Sequence, residues 1–415
     1  MIPSNSIAEA RRAAIVGPGL MGLGVAQALA CAGVEVALCG RDAEAAKVGR
    51  EKLAASLRRQ VAKGRLDAGT QARILSRVCA ATLTRDGLAG CQIVIESVPE
   101  DRALKREVLA AAQAAAPDAM LATNTSGLAI SGLAGALRDP ARFLGLHFFS
   151  PAERMPLVEV VKGRETAEAV VRSALAFLDS VGKRPVIVRD GPGFFATRVF
   201  AAYLDEAVAM LAEGVAPALI EQAALANGRA LGPLATLDET GIGLNALQAL
   251  QARADGLEAR FCRPLAASAF TFLVEAGRGG RRAGGGFFDW PAEGARAPWP
   301  GLEAHFPRAR QQPEPADVAL RLLVAEAREA LLCLEEGVIA SADDADAASV
   351  LGLGFPSRLG GILCWAENLG LGAFVAACDR LAAAHGERFA ATPWLRELGV
   401  RGHGLKAYRR QEGVA

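Results

Sequence analysis

Ala13-Ala-Ile-Val-Gly-Pro-Gly-Leu-Met-Gly22 is a short apolar run that breaks into a G-x-G-x-x-G turn at Gly17, Gly19 and Gly22. An Ala-rich helical stretch follows to Cys31, then Gly33 and a second apolar run, Val34-Glu-Val-Ala-Leu-Cys39. Strand, glycine turn, helix and strand in that order open a dinucleotide-binding unit. Gly17 permits the tight turn, Gly19 lets a pyrophosphate approach the backbone and the helix amides, and Gly22 lets the helix pack on the strand.

The same alternation continues downstream. From Ala43 to about Val78 the pattern is helical and charged, with a basic cluster of Arg58, Arg59, Lys63 and Arg65 that is either a solvated face or a grip for a polyanionic handle. Cys91-Gln-Ile-Val-Ile-Glu-Ser-Val98 reads as a buried strand, and Pro99-Glu-Asp starts a helix. Leu121-Ala-Thr-Asn-Thr-Ser126 follows another strand, with Ser126 placed as a helix N-cap or as a hydroxyl pointing at a ligand. Arg184-Pro-Val-Ile-Val-Arg189 is the last strand. Strands and helices alternating through residue 189 predict an α/β, doubly wound sheet over residues 1–190.

After Asp190-Gly-Pro-Gly193 the pattern turns helical, and residues 295–316 read as a linker rich in proline and glycine. The chain then repeats itself. Glu206-Ala207, Leu211, Glu213-Gly214-Val215 and Pro233 recur 123 positions later as Glu329-Ala330, Leu334, Glu336-Gly337-Val338 and Pro356. The repeat predicts two tandem all-α domains, 191–294 and 317–415, each covering the other's apolar face as an internal pseudo-dimer.

A length of 415 residues suits about three domains at ~150 residues each. With 46 basic and 45 acidic residues the net charge is +1, which leaves no basic groove for nucleic acid and no polybasic membrane patch. The eight cysteines fall singly in apolar runs without metal-ligand spacing and read as buried thiols of a reducing compartment. The first ten residues lack the apolar core of a signal peptide, and no uncharged run reaches the ~18 residues of a membrane span. A soluble, cytoplasmic, metal-free protein acting on a small molecule is the expectation.

Within Arg142 to Val161, His147 ends one strand-like segment and Glu159 lies inside the next, and the two prolines between Phe148 and Pro156 let the chain turn. Strands placed side by side would join a neutral imidazole, able to take a proton from a hydroxyl, to a carboxylate that fixes its tautomer.

These motifs resemble those of the 3-hydroxyacyl-CoA dehydrogenases, above all the dehydrogenase portion of bacterial fatty-acid oxidation multienzymes, in which two related C-terminal domains follow a Rossmann domain. The resemblance runs from about Ala13 to Tyr408, and the hydratase part of the multienzymes is absent. It rests on Gly17 to Gly22, Ile93-Val-Ile-Glu96, Asn124-Thr-Ser126, Leu146-His-Phe-Phe149, Leu157-Val-Glu-Val160, Pro192-Gly-Phe194, Gly284-Gly-Gly-Phe287 and Gly352-Leu-Gly-Phe-Pro356. It implies His147 as acid/base, Glu159 as its orienting partner, Ser126 as a donor to substrate, and a catalytic place for Thr197. Gly17, Gly19, Leu20, Met21, Gly22, Gly40, Arg41, Glu100, Lys105 and Asn124 would meet an NAD cofactor, and Ser56, Lys63, Ser126 and Ser150 an acyl-CoA substrate.

Three positions depart from the family pattern. Ser150 and Thr197 stand where the family has Asn, and Gly40 stands at the end of the second strand where it has Asp. The first two admit a different hydroxyacyl thioester or a free hydroxy acid; a cofactor-binding homologue with little turnover is a separate alternative, against which the His147 and Glu159 pair argues. Gly40-Arg41 admits NADP, because an acidic residue there normally holds the adenosine ribose and repels a 2′-phosphate. The alternative is that Asp42 reaches back to the ribose. A monomer with an internal pseudo-dimer and a homodimer both fit the repeat.

Overall fold

Near-continuous apolar runs form parallel strands because both faces of such a sheet are covered. The computed structural model describes residues 10–401 together with 404 and 405. Residues 1–9, 402, 403 and 406–415, including Tyr408 at the end of the resemblance, lie outside the described residues. The chain divides into two units, Met1–Phe194 and Phe195–Ala415.

The first unit is built on β1 (Arg12–Val16), β2 (Glu35–Cys39), β3 (Val78–Ala81), β4 (Ile93–Glu96), β5 (Met120–Thr123), β6 (Phe143–Phe148), β7 (Leu157–Lys162) and β8 (Arg184–Arg189). They form one sheet in the order β3-β2-β1-β4-β5-β6-β7-β8. Strands β1 to β6 are parallel, β7 runs antiparallel to β6, and β8 runs parallel to β7. The order reverses between β1 and β4, and beyond the carboxyl ends of such neighbours a crevice opens for ligand. Helix α1 (Leu20–Cys31) follows the glycine turn. The stretch from Ala43 is two helices, α2 (Ala43–Ala62) and α3 (Ala68–Arg77), separated where Gly64 takes a φ of 65°. Helices α4 (Arg102–Ala115), α5 (Ile130–Ala134) and α6 (Glu168–Ser180) complete the layers. The core is aliphatic, with Ile15, Leu38, Ile95, Leu146 and Val160 fully buried.

The second unit is helical, with one ribbon of two-residue strands, Phe288–Asp289 and Ala297–Pro298. The supposed linker is therefore not featureless. It supplies half of that ribbon and a short helix, Gly301–His305, whose Leu302 is buried, and Gln312 ties it down by accepting from Ala216 N at 2.8 Å and donating to Gly214 O at 3.0 Å.

Helices α7 (Ala196–Ala212) and α8 (Pro315–Glu335) lead the two sequence repeats and pack on each other. Their contacts are reciprocal. Arg198 on α7 pairs with Glu329 and Glu336, and Arg321 on α8 pairs with Glu206 and Glu213. Each member of one set lies 123 positions from its counterpart in the other. This is the isologous pattern of a two-fold interface, made within one chain. Elsewhere the copies differ. Arg229 sits with its guanidinium 4.6 Å from the centre of the Tyr203 ring and pairs with Glu326, the position 123 residues beyond Tyr203.

Six of the eight cysteines are buried or half-buried, but Cys31 and Cys79 are exposed. Cys31 is the last residue of α1, and Cys79 lies on β3 at the sheet edge, places where an apolar run reaches solvent. Among the described residues no single helix is long and apolar enough to cross a membrane.

Candidate active site

The glycine turn joins β1 to α1 at the point where the strand order reverses. Gly17 has a φ of 112°, and a Cβ there would lie 2.5 Å from Ser97 O, so only glycine fits between β1 and the end of β4. A Cβ on Gly22 would collide with Gly17 O at 1.9 Å. Gly19 differs: a Cβ there would meet nothing within 4 Å, so its backbone faces open space. Among the described residues no side chain caps α1, and its first-turn amides remain for a ligand. An uncapped helix N-terminus behind an open glycine suits a pyrophosphate.

His147 and Glu159 are register partners on the antiparallel strands β6 and β7. Side chains of such a pair leave the same face of the sheet, and His147 Nδ1 lies 2.7 Å from Glu159 Oε2. Glu159 is fully buried and His147 is 8% exposed. With a carboxylate at Nδ1, the proton of a neutral imidazole is assigned to Nδ1, which leaves Nε2 as the acceptor. The imidazole is flanked by Phe149, at 4.5 Å between ring centres, and Phe194, at 6.2 Å. Phe194 is buried although its φ is 51°, a left-handed conformation that is costly for an aromatic residue.

Beside this pair, the ends of β4 and β5 carry a buried ionic chain. Lys105 of α4 is fully buried and donates to Glu96 Oε1 at 2.9 Å, Glu96 Oε2 at 3.1 Å and Val98 O at 3.2 Å, with Glu100 Oε2 at 3.4 Å. Glu96 also accepts from Thr123 Oγ1 at 2.6 Å and Val98 N at 2.6 Å. Burial pushes the Glu96 carboxyl above its ordinary range, against the pull of Lys105 and Thr123. Glu100 Oε1 in turn accepts from Thr125 Oγ1 at 2.5 Å, Ser126 N at 3.0 Å and Ser126 Oγ at 3.3 Å. Asn124 Oδ1 accepts from Phe148 N at 2.9 Å, and its Nδ2 donates to Ser97 Oγ at 3.3 Å, which ties β5 to the residue after His147.

Ser126 is not an N-cap. The next helix, α5, starts only at Ile130, and the Asp190 carboxylate caps it by accepting from Ile130 N and Ser131 N, each at 2.7 Å. Thr125, one residue earlier, holds the intervening turn through Leu128 N at 3.0 Å. Ser150 is exposed just past β6. Thr197 belongs to the second unit, half-buried in the first turn of α7. Ser56 is half-buried in the second half of α2, and Lys63, exposed, ends it. Leu20 is exposed and Met21 half-buried at the start of α1. Gly40 follows β2, with Arg41 exposed beside it. Glu96, Thr125, Asp190 and Phe194 escaped the sequence reading as site neighbours. A glutamate ending an otherwise apolar strand, and a lysine on the helix after it, were the signals for the Glu96–Lys105 pair.

The chain matches the sequence model of the 3-hydroxyacyl-CoA dehydrogenase NAD binding domain over residues 12–191. The model of the 3-hydroxyacyl-CoA dehydrogenase C-terminal domain matches twice, over residues 193–290 and 318–410. A 3-hydroxybutyryl-CoA dehydrogenase from Escherichia coli K12 is similar over 95% of this chain and 99% of its own, at 28% identity and a TM-score of 0.80. M. tuberculosis FadB2 is 33% identical over 68% of this chain and 99% of its own, with a TM-score of 0.64. An (S)-3-hydroxybutyryl-CoA dehydrogenase from Ralstonia eutropha is 31% identical over 68% of this chain and all of its own, with a TM-score of 0.62.

Proposed function

Because the chain belongs to the 3-hydroxyacyl-CoA dehydrogenase family, and is thus an oxidoreductase with an NAD-binding domain, we propose that it interconverts a 3-hydroxyacyl-CoA and a 3-ketoacyl-CoA by means of His147 and Glu159. The observation that carries this reading is the 2.7 Å contact between His147 Nδ1 and Glu159 Oε2. With Nδ1 committed to the carboxylate, Nε2 accepts the 3-hydroxyl proton as the C3–H bond gives up its hydride. Glu159 stabilises the imidazolium that results. The bound nicotinamide dinucleotide supplies the hydride acceptor, or the donor when the reaction runs toward the alcohol. In that direction His147 returns the proton to the C3 oxygen.

Ser126 Oγ, which donates its one proton to Glu100 Oε1 at 3.3 Å, turns that proton to the substrate oxygen when substrate binds, while Ser126 N keeps its bond to Glu100. Asn124 and Glu100 line the nicotinamide end, and Lys105, whose donors are all engaged, holds Glu96 and Glu100 rather than touching the cofactor. Gly17, Gly19, Leu20, Met21 and Gly22 cradle the pyrophosphate. Ser56 on α2 and Lys63 at its C-cap meet the coenzyme A moiety.

A second reading, a different hydroxyacyl thioester or a free hydroxy acid, is favoured by Ser150 and Thr197, whose hydroxyls end at the γ position and reach less far than an Asn amide. Steady-state turnover of a 3-ketoacyl-CoA series and of free 3-keto acids, each with NADH and NADPH, tests both. Turnover of the thioesters at 10-fold or greater kcat/KM supports the first, turnover of the free acids alone supports the second, and none in either series refutes both.

A further inference from the structure

We propose that the adenosine end of this dinucleotide site selects the 2′-phosphorylated cofactor, with Arg41 as the phosphate-binding residue and Gly40 as the position that keeps an acidic side chain out. The proposal rests on the dinucleotide-binding reading and adds which of the two dinucleotides is taken. In a fold of this kind the residue ending the second strand faces the adenosine ribose, where a carboxylate takes the ribose hydroxyls and repels a phosphate.

At Gly40 that carboxylate is sterically excluded. A Cβ built there would lie 2.6 Å from Ala46 N and 2.8 Å from the Ala45 carbonyl carbon, closer than real Cβ contacts come. Both are rigid backbone atoms, so the first turn of α2 is pressed onto Gly40 and an aspartate would have to displace the helix. Asp42, two residues on, is occupied. Its Oδ1 accepts from Ala45 N at 2.7 Å as the N-cap of α2, and its Oδ2 faces Arg41 Nε at 3.3 Å. To reach back to a ribose it would have to abandon the cap.

Arg41 is free to move. Its side chain is 90% exposed and that long contact to Asp42 is a weak tether. A planar guanidinium grips a phosphate through two parallel N–H bonds, and a dianionic 2′-phosphate draws it away from a capping carboxylate. Glu44, also in the first turn of α2, opposes this. It is exposed and screened by solvent and salt. The positive end of α2 favours the phosphate.

Arg41→Ala changes an exposed side chain and should leave the fold intact. Dissociation constants for NADPH, NADH, adenosine 2′,5′-bisphosphate and AMP, measured by calorimetry on the full chain, decide the matter without requiring turnover. The wild type should bind NADPH and the bisphosphate at least ~10-fold more tightly than their counterparts lacking the 2′-phosphate. Arg41→Ala should weaken the phosphorylated pair on the order of 10–100-fold and leave NADH and AMP unchanged. Equal or tighter binding of NADH by the wild type, or an unchanged ratio in Arg41→Ala, overturns the proposal. If NADPH binds as expected but no 3-ketoacyl thioester turns over, the proposed reaction falls and the cofactor assignment stands. If neither dinucleotide binds, both fall.

Discussion

Arg321 Nε donates to Glu206 Oε1 at 2.6 Å, and the same bond recurs between Arg198 and Glu329, each partner moved by 123 positions. Glu206 is 2% exposed, and Arg388 Nε lies 2.8 Å from its other oxygen. Taking away one partner of a buried pair costs about 3–5 kcal/mol, because the other is left without its counter-charge. Arg388 moderates that, so Arg321→Met should cost about 3 kcal/mol. The four tryptophans, 290, 299, 365 and 394, all lie in the second unit, so the urea midpoint of tryptophan fluorescence reads that unit alone. A midpoint within error of the wild type would show that the pair only decorates the interface. By the same reasoning a chain cut after Gln312 should fail to stay soluble, and a soluble, fully active fragment would contradict the interlock.

Acid should loosen the same contact in a predictable sense. Burial works to raise the Glu213 carboxyl, but the hydrogen bonds and charge of Arg321, with His385 and Arg388, outweigh it and hold the carboxyl below the ordinary value of 4.5. A carboxyl lowered in the folded state contributes stability that is fully present above its unfolded value and fades as pH falls through its folded value. The thermal midpoint of the wild type should therefore exceed that of Glu213→Gln at neutral pH, with the gap closing below pH 4.5. A gap independent of pH would mean that Glu213 acts by packing, not charge.

At the candidate dyad, His147→Gln should fold and bind dinucleotide normally while turnover drops on the order of 10²–10⁴-fold, the usual share of one general acid/base. Glu159→Gln keeps the shape and loses the stabilised imidazolium, so its loss should be equal or smaller. A larger loss in Glu159→Gln than in His147→Gln would mean the roles are assigned the wrong way round.

Lys105→Met should be among the most damaging substitutions in the first unit, costing about 3–5 kcal/mol, because Glu96 and Glu100 then face one another without a cation. Adding Glu96→Gln should recover part of the loss, since the cost lies in the unpaired charge and not in the missing contact. Chemical denaturation of both variants checks this. Strictly additive costs would rule out the coupling.

The sheet was legible because parallel strands advertise themselves as apolar runs, and the glycine turn after β1 fixed where the crevice opens. The His147–Glu159 spacing left room for the two strands to pair but could not give their register, which depends on how Ser150 to Pro156 turn. The sequence leaves Ser126 open between a cap and a ligand-facing hydroxyl, because the group that caps α5, Asp190, lies about 60 residues away in sequence. The repeat is visible in Glu206 and Glu213, whereas Arg198 and Arg321 keep the same offset without standing out, because charged residues on a helix read as solvated until a partner is in view. Nothing in the sequence showed that the space beside Gly40 is filled by the backbone of Ala45 and Ala46.

Tyr203 and Glu326 hold equivalent places in the two repeats, and Arg229 leans on both. Were the first repeat to meet a second copy of itself, Arg229 would find a phenol ring where it now has a carboxylate, and a buried guanidinium would lose its counter-ion. The two halves are therefore not interchangeable: the second supplies the counter-charge that Arg229 of the first requires, and a pair made of two first halves would bury that cation without a carboxylate.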